Sequence, residues 1–510
     1  MNEAAAVSVP HTPLQRARRL FVILLLGFAS GLPLALTGGA MQAWLTVDGL
    51  DLVTLGFLSL IGIPYTFKFL WAPLIDRFDI PLLGRRRGWI VLLLFALAAA
   101  LVLMSGLSPS RNLPLFAGVA VLVACLSATL DVVIDAYRTD LLEPAERGLG
   151  GSFTVLGYRL AMVLSGGITL IWAEQWQSWP QVYRVMAGLA VGVGVLALLL
   201  MPRLPARFTA PVSRAGGELR GFVALVAGVA VGAWVVHYLL VLVGLDPDSS
   251  DRWTRLTFVV SQIAGAMTVG LGVTRWIPFQ TLNASLRSYF GMRGAGAFLA
   301  LVVLYKIGDA FALSLSTPFL LKGMGFSQAE VGLANKTIGL LMTIVGAIVG
   351  GFFLLRLRLS QALLGFGVLQ LVSNLGFYAL AREGAGAWGS VTVPAFNLLI
   401  VHLEHATLMD SLLLFALSLD NFAGGMGTAA FVALLSGLCG TRFSATHYAL
   451  LSAFATLGRV FVGPFAGVLA DAYGWQTFFL VSVLVGVPGL LMAWWLRREV
   501  DATTQTAATG

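Results

Sequence analysis

Two aspartates, Asp131 and Asp135, stand four residues apart inside an apolar stretch, LDVVIDAY. On a helix, residues four apart occupy one face. Carboxylates placed within a membrane-spanning helix are the chemistry of proton uptake and release. The alternative is a structural ion pair with Arg159, or with Arg138 one turn further on. Lys306 and Asp309 lie three apart in a second apolar stretch, and Lys68, Lys336 and Arg459 are further cations set among apolar residues. Asp420 and Asn421 open a small-residue run, DNFAGGMG. Such cations suit a carboxylate substrate, arginine as a bidentate donor and lysine as a point charge. Lys306 and Asp309 can equally neutralise each other, and Arg459 can equally tie two helices together.

Other groups of residues carry less. His402, Glu404 and His405 have the types of metal ligands, but they sit in a connecting loop and lack the remaining pattern of a metal site. Gly38-Gly39, Gly166-Gly167 and Gly424-Gly425 follow no strand and read as helix-packing contacts rather than phosphate loops. Trp44, Trp71, Trp89, Trp172 and Trp176 fall near the ends of apolar runs, as residues of an interfacial belt do, with sugar stacking the second use. No nucleophile or triad motif stands out.

The elements that must position these residues follow from composition. Of the 510 residues 58% are hydrophobic and 11% charged, with mean hydropathy +0.88. Soluble chains carry about 25% charge, so the partner of this surface is a lipid bilayer. The net charge of +8 lies in short loops between apolar runs and needs no nucleic acid to explain it. Cys125 and Cys439 lie within apolar runs, so no disulfide framework is expected. A helix of ~20 apolar residues crosses the hydrocarbon core. On that measure the chain predicts fourteen spans, at 20–44, 51–75, 88–107, 113–136, 152–172, 181–201, 220–244, 256–276, 298–321, 330–355, 362–381, 411–438, 445–470 and 476–496. Most of the 32 Lys and Arg residues then fall on the side of the N-terminus. The positive-inside rule makes that side the cytoplasm and places both termini there.

The chain also repeats. A shift of 276 residues overlays the first two spans on the ninth and tenth: Leu45 meets Leu321, Gly49 meets Gly325, and Gly56 meets Gly332. The expected organisation is a cytoplasmic tail (1–19), a six-helix bundle (20–201), an inter-bundle segment with two extra helices at the lipid periphery (202–297), a second six-helix bundle (298–496) and a cytoplasmic tail (497–510). Repeats of this kind place a transport site near the midplane between them.

After the second span come Asp76-Arg77, a spacer, and Gly84-Arg85-Arg86-Arg87. This resembles the cytoplasmic gate signature of the major facilitator superfamily, with a longer spacer. The resemblance narrows through GFASGLPLALTGGAMQAW (27–44), FKFLWAPLIDR (67–77), DVVIDAYRTDLLEPAERG (131–148), LYKIGDAFALSLSTPFL (304–320) and GRVFVGPFAG (458–467). These runs look like the AmpG-type muropeptide permeases. The chain departs from them in its mid-chain helix pair, and in Asp420 where relatives tend to carry Glu.

The resemblance implies an all-α integral membrane protein with the major facilitator fold, two six-helix bundles plus two extra helices between them. It implies import of GlcNAc-1,6-anhydroMurNAc and its peptides across the bacterial inner membrane, for peptidoglycan recycling and β-lactamase induction. A proton gradient would take the place of any cofactor, with no metal, no nucleic acid partner, and the monomer as the working unit. Asp131 and Asp135 would carry protons. Lys68, Arg159, Lys306, Asp309, Lys336, Asp420, Asn421 and Arg459 would bind substrate or gate the path. The competing functions are transport of another anionic metabolite such as an acyl-CoA, an enzyme of lipid-linked wall precursors, and a sensor without flux.

Overall fold

The computed structural model describes residues 13–508, apart from 72–74, 76–79, 81–82, 143–146, 203–214, 248, 250, 278–286, 288–289, 292–293, 394–395, 399–400, 404–406 and 439–450. A chain surrounded by hydrocarbon must satisfy its backbone internally, and the helix does so within one segment. The first half comprises α1 (Leu14–Val47), α2 (Leu52–Phe67), α3 (Arg86–Ser105), α4 (Leu113–Arg138), α5 (Phe153–Trp176) and α6 (Trp179–Leu200). Two helices follow, α7 (Leu219–Leu242) and α8 (Arg252–Trp276).

The second half comprises α9 (Ala295–Gly323), α10 (328–354), α11 (Leu359–Glu383), α12 (Ser411–Leu435), α13 (451–473) and α14 (475–495). The last two form one apolar stretch that reverses at Gly474, whose φ of 76° a side chain would strain. A polar helix, α15 (Arg497–Ala508), closes the described chain. Among the described residues eleven helices are long and apolar enough to cross a membrane, and the split of Leu451–Trp495 at Gly474 with the shorter apolar helices Leu52–Phe67 and Leu340–Leu354 brings the count into rough agreement with fourteen. The start of the predicted 445–470 span lies outside the described residues.

Both described ends lie on one face, here called the tail face. Arg18 donates to the Leu200 carbonyl at 2.9 Å, and Asp501 accepts from the Ser360 hydroxyl at 2.8 Å. Of the helices that start on the opposite face, all but α14, which follows Gly474, begin with a capping side chain. Asp51, Asn112, Ser178, Asp251 and Ser327 cap α2, α4, α6, α8 and α10, and Asp410 caps α12 by accepting from Leu413 N at 2.6 Å. These caps satisfy backbone donors where the helix enters the apolar layer.

The connection from α11 to α12 adds strands to an otherwise helical chain. β1 (Ser390–Val393) pairs antiparallel with β4 (Thr407–Asp410), and β2 (Phe396–Leu398) with β3 (Val401–Leu403).

The α7–α8 pair lies outside both halves. Its faces toward the surroundings carry Trp234, Val243 and Trp276, all exposed. Leu256 of α8 packs with Val53 of α2 and Val468 of α13, and Arg252 pairs with Asp471 at 2.5 Å.

One expectation is corrected. Trp44 is 5% exposed and packs against Phe116, Trp179 and Tyr183, so it belongs to the core of the first half and not to an interfacial belt. Hydropathy locates a span end but not the direction a side chain takes from it.

Candidate functional site

The two halves meet on the face opposite the tails. The second helix of each half packs against the fifth helix of the other. Gly56 of α2 abuts the backbone of Gly463 and Gly467 of α13, and Gly332 of α10 abuts Gly167 of α5. Around these contacts, Ser59 donates to the Val460 carbonyl at 2.8 Å and Gln42 to the Ser314 carbonyl at 2.8 Å. The Glu174 carboxylate accepts from Ala329 N at 2.7 Å. Sequence reasoning passed over Glu174, because an acid near a span end looks like any solvated residue until its partner half is in place.

Charged side chains gather between the halves, deeper in the layer. Ala295 to Lys306 is about 16 Å of helix at 1.5 Å per residue. In the first half, Ser30 of α1 donates to Asp131 Oδ1 at 2.6 Å, and Lys68 Nζ, just beyond α2, lies 3.4 Å from Asp131 Oδ2. Tyr65 and Tyr158 lie within the field of the same carboxylate. Asp135 also lies within the field of Asp131, but its exposure and its partner differ. Its side chain is 60% exposed, against 17% for Asp131, and it pairs with Arg138 at 3.2 Å. The two aspartates therefore sit in different surroundings. Among the described residues Arg159, half-buried on α5, pairs with neither.

In the second half, Lys306 Nζ lies 3.9 Å from Asp309 Oδ2 and 5.5 Å from the centre of the Phe431 ring. Asp420 is 6% exposed, beside the Ser373 hydroxyl and within the field of both Lys306 and Asp309. Asn421 donates to the Leu417 carbonyl at 2.8 Å and accepts from Thr343 Oγ1 at 3.0 Å, which joins α12 to α10. Arg459 of α13 is exposed, and its charge reaches Lys306 of its own half and Tyr158 of the other. It faces the space between the halves. Lys336 lies in a wide helical turn of α10, Ala334–Gly339, and its side chain is outside the described residues.

The gate signature is described in part. Gly84 turns the chain into α3 with φ 80°. Arg86 Nε lies 3.3 Å from Asp140 Oδ2, and Arg87 donates to the Leu198 carbonyl. These contacts bind α3 to the tail-face ends of α4 and α6. Asp76, Arg77 and the Arg85 side chain are outside the described residues, as are Glu404, His405 and Cys439. His402 lies on β3, paired with Asn397.

Two six-helix halves, joined on one face and lined between them by opposed charges, are the architecture of a secondary transporter. The Major Facilitator Superfamily model matches residues 20–403. The anhydromuropeptide permease of Escherichia coli (strain K12) is 41% identical over 485 residues, 95% of this chain and 81% of that one. A putative transporter AmpG 4 of Rickettsia conorii (strain ATCC VR-613 / Malish 7) is 26% identical over 487 residues, 95% and 97% of the two chains.

Solved structures share the fold. A POT family transporter in complex with a thioalcohol-conjugated peptide superposes with TM-score 0.65 at 14% identity, covering 95% of this chain and 96% of that one. A bacterial homologue of the human lysosomal transporter Spinster, inward-facing and unoccupied, does so with TM-score 0.60 at 13% identity, covering 97% and 98%. The chain belongs to the Major Facilitator Superfamily and, within it, to the AmpG-type permeases. It is a multi-pass membrane transporter and not an enzyme.

Proposed function

We propose that this protein imports anhydromuropeptides, GlcNAc-1,6-anhydroMurNAc with or without its peptide, from periplasm to cytoplasm in symport with protons. The supporting observation is the 41% identity to the anhydromuropeptide permease of Escherichia coli, spread over both halves. The tail face is the cytoplasmic one, because the arginine-rich loop Arg85-Arg86-Arg87 enters α3 there. The described conformation is then closed to the periplasm. The membrane is the bacterial inner membrane, a single chain is the working unit, and the imported product serves cell-wall recycling and β-lactamase induction.

The charges between the halves suit this substrate. A muropeptide carries carboxylates, and Arg459 stands exposed between the halves. Asp131 serves as a switch. While ionised it holds Lys68, and a proton on its carboxyl removes the charge that holds the ammonium. Lys68 is then free for a substrate carboxylate. Asp135, paired to Arg138 in an exposed position, is the route by which protons leave.

Uptake of labelled GlcNAc-anhydroMurNAc into proteoliposomes, with and without an inward proton gradient, tests the reading. Gradient-dependent accumulation is expected, and Asp131→Asn should abolish it while exchange of substrate continues. Absence of substrate binding would refute the substrate assignment.

A further inference from the structure

A second carboxyl lies deeper than Asp131 and on the other side of the molecule. Asp420 of α12 is 6% exposed, and Asp309 of α9 is within its electrostatic reach. The opposing charge is Lys306, 3.9 Å from Asp309. Among the described residues two carboxylates thus face one ammonium, which leaves one negative charge uncompensated away from water. An isolated buried carboxylate is too costly to persist, so a positive charge must join it.

Among the described residues the remaining neighbours do not supply that charge; the Lys336 side chain of α10 is outside them. α11 contributes only neutral groups: Gln370, Ser373 and Asn374. α10 contributes Thr343, bonded to the adjoining Asn421. From α13, Arg459 is turned to the space between the halves.

The Ser373 hydroxyl is within reach of Asp420 and donates its own hydrogen to the Gln370 carbonyl at 2.7 Å, which leaves its oxygen to accept. Gln370 and Asn374 are one helical turn apart, hence on one face, and the Gln370 carboxamide rests against Gly427 of α12. This face of α11 is therefore turned toward α12, with Gln370 two turns beyond Asp420. Asn374 is 1% exposed, and neither its Oδ1 nor its Nδ2 has a partner in the structure; Gln370 Nε2 has none either. Buried amides left open on the same helix as Ser373 are expensive. The Ser373 oxygen can accept once the carboxyl carries a hydrogen to donate.

We propose that Asp420 is a second proton-binding carboxyl of the transport cycle, with Ser373 as its hydroxyl neighbour and the Lys306–Asp309 pair as its connection to the space between the halves. Asp309, 21% exposed at the side chain against 6% for Asp420 as a residue, is the more open of the two carboxyls and is assigned as the relay. The proposal rests on the proton-symport reading for its place in the cycle, but not for the presence of the proton.

Infrared difference spectroscopy of the purified full-length protein at neutral pH tests the presence of the proton directly. A carboxylic-acid C=O band is expected in the unaltered protein and in Asp131→Asn, and its loss is expected in Asp420→Asn. In proteoliposomes, Asp420→Asn should lose proton-driven accumulation and retain substrate exchange, and Asp420→Glu should restore accumulation.

A band that survives Asp420→Asn, or that is absent from the unaltered protein, overturns the proposal. So does accumulation by Asp420→Asn equal to that of the unaltered protein. So does uptake driven by a sodium gradient and lost in Asp420→Asn, which would put an alkali cation in the proton's place. An unaltered protein that shows the band but ignores the proton gradient would refute the symport reading and leave the protonated Asp420 standing.

Discussion

Gly56 and Gly332, 276 residues apart, occupy equivalent places in the two halves: each is the point where a second helix meets the backbone of the opposite half's fifth helix. The turn that precedes each is also shared, with Gly49 at φ 92° and Gly325 at φ 75°. A Cβ at Gly56 or at Gly332 would collide with a carbonyl oxygen across the interface. Backbones can approach this closely because the glycine on the second helix has no side chain.

Gly56→Val and Gly332→Val are therefore expected to shift the protein away from the described closed face. Ser59 lies in that interface, so a Ser59→Cys probe in a background lacking Cys125 and Cys439 reads the shift. Labelling by a membrane-impermeant thiol reagent should rise in both glycine variants. Unchanged labelling in both would contradict the role assigned to the contact.

The Lys68–Asp131 pair should behave as a unit. Removing one partner leaves the other charge partly buried and is expected to cost up to about 3 kcal/mol. Lys68→Ala/Asp131→Ala should be less destabilised than the worse single variant. Thermal unfolding in detergent measures this, and a strictly additive double variant would show that the two groups are energetically independent.

Arg459 has no ion-pair partner among the described residues, so its loss should cost binding more than folding. Losing a charged hydrogen bond to substrate is worth about 1.5–3 kcal/mol. Arg459→Ala should raise KM for uptake by roughly tenfold or more, and thermal stability should change little. A large fall in stability with unchanged KM would mark Arg459 as a helix tie.

The caps on the face opposite the tails make stability depend on acid pH. At Asp51, burial pushes the carboxyl up, and the hydroxyl and backbone N–H of Thr54 more than offset it, so it titrates below the ordinary 3.8. Asp251 titrates low because the Thr254 hydroxyl and N–H hold its ionised form. A depressed carboxyl stabilises the fold above its unfolded value, and that contribution is lost as pH falls through the folded value. The stabilisation is thus intact above pH 3.8 and disappears below it. Asp51→Ala should cost about 1 kcal/mol at neutral pH and correspondingly less in acid. A pH-independent deficit would rule out the capping explanation.

The difference between the two acid sites shows how far sequence reading reached. Asp131 and Lys306–Asp309 stood out because charge within an apolar run is conspicuous. Their true partners did not. Lys68 is 63 positions from Asp131, and Asp420 is 111 positions from Asp309, separations that no helical period connects. The i,i+4 spacing of Asp131 and Asp135 suggested one shared site, but Asp135 lies further along α4 toward the tail face, where exposure and Arg138 take over. Gln370 and Asn374 looked like ordinary polar residues of a helix, and only their burial without partners distinguishes them.

By itself the sequence determined the solvent, the number of crossings, the duplication and the family, because each is written in composition, in runs about twenty residues long or in local motifs. Tertiary structure decided which charges neutralise each other, which glycines close the face opposite the tails, and that Trp44 turns inward. Those outcomes depend on the rotation and depth of helices that pack across the bundle. In a uniformly apolar sequence, neither is encoded by any local pattern.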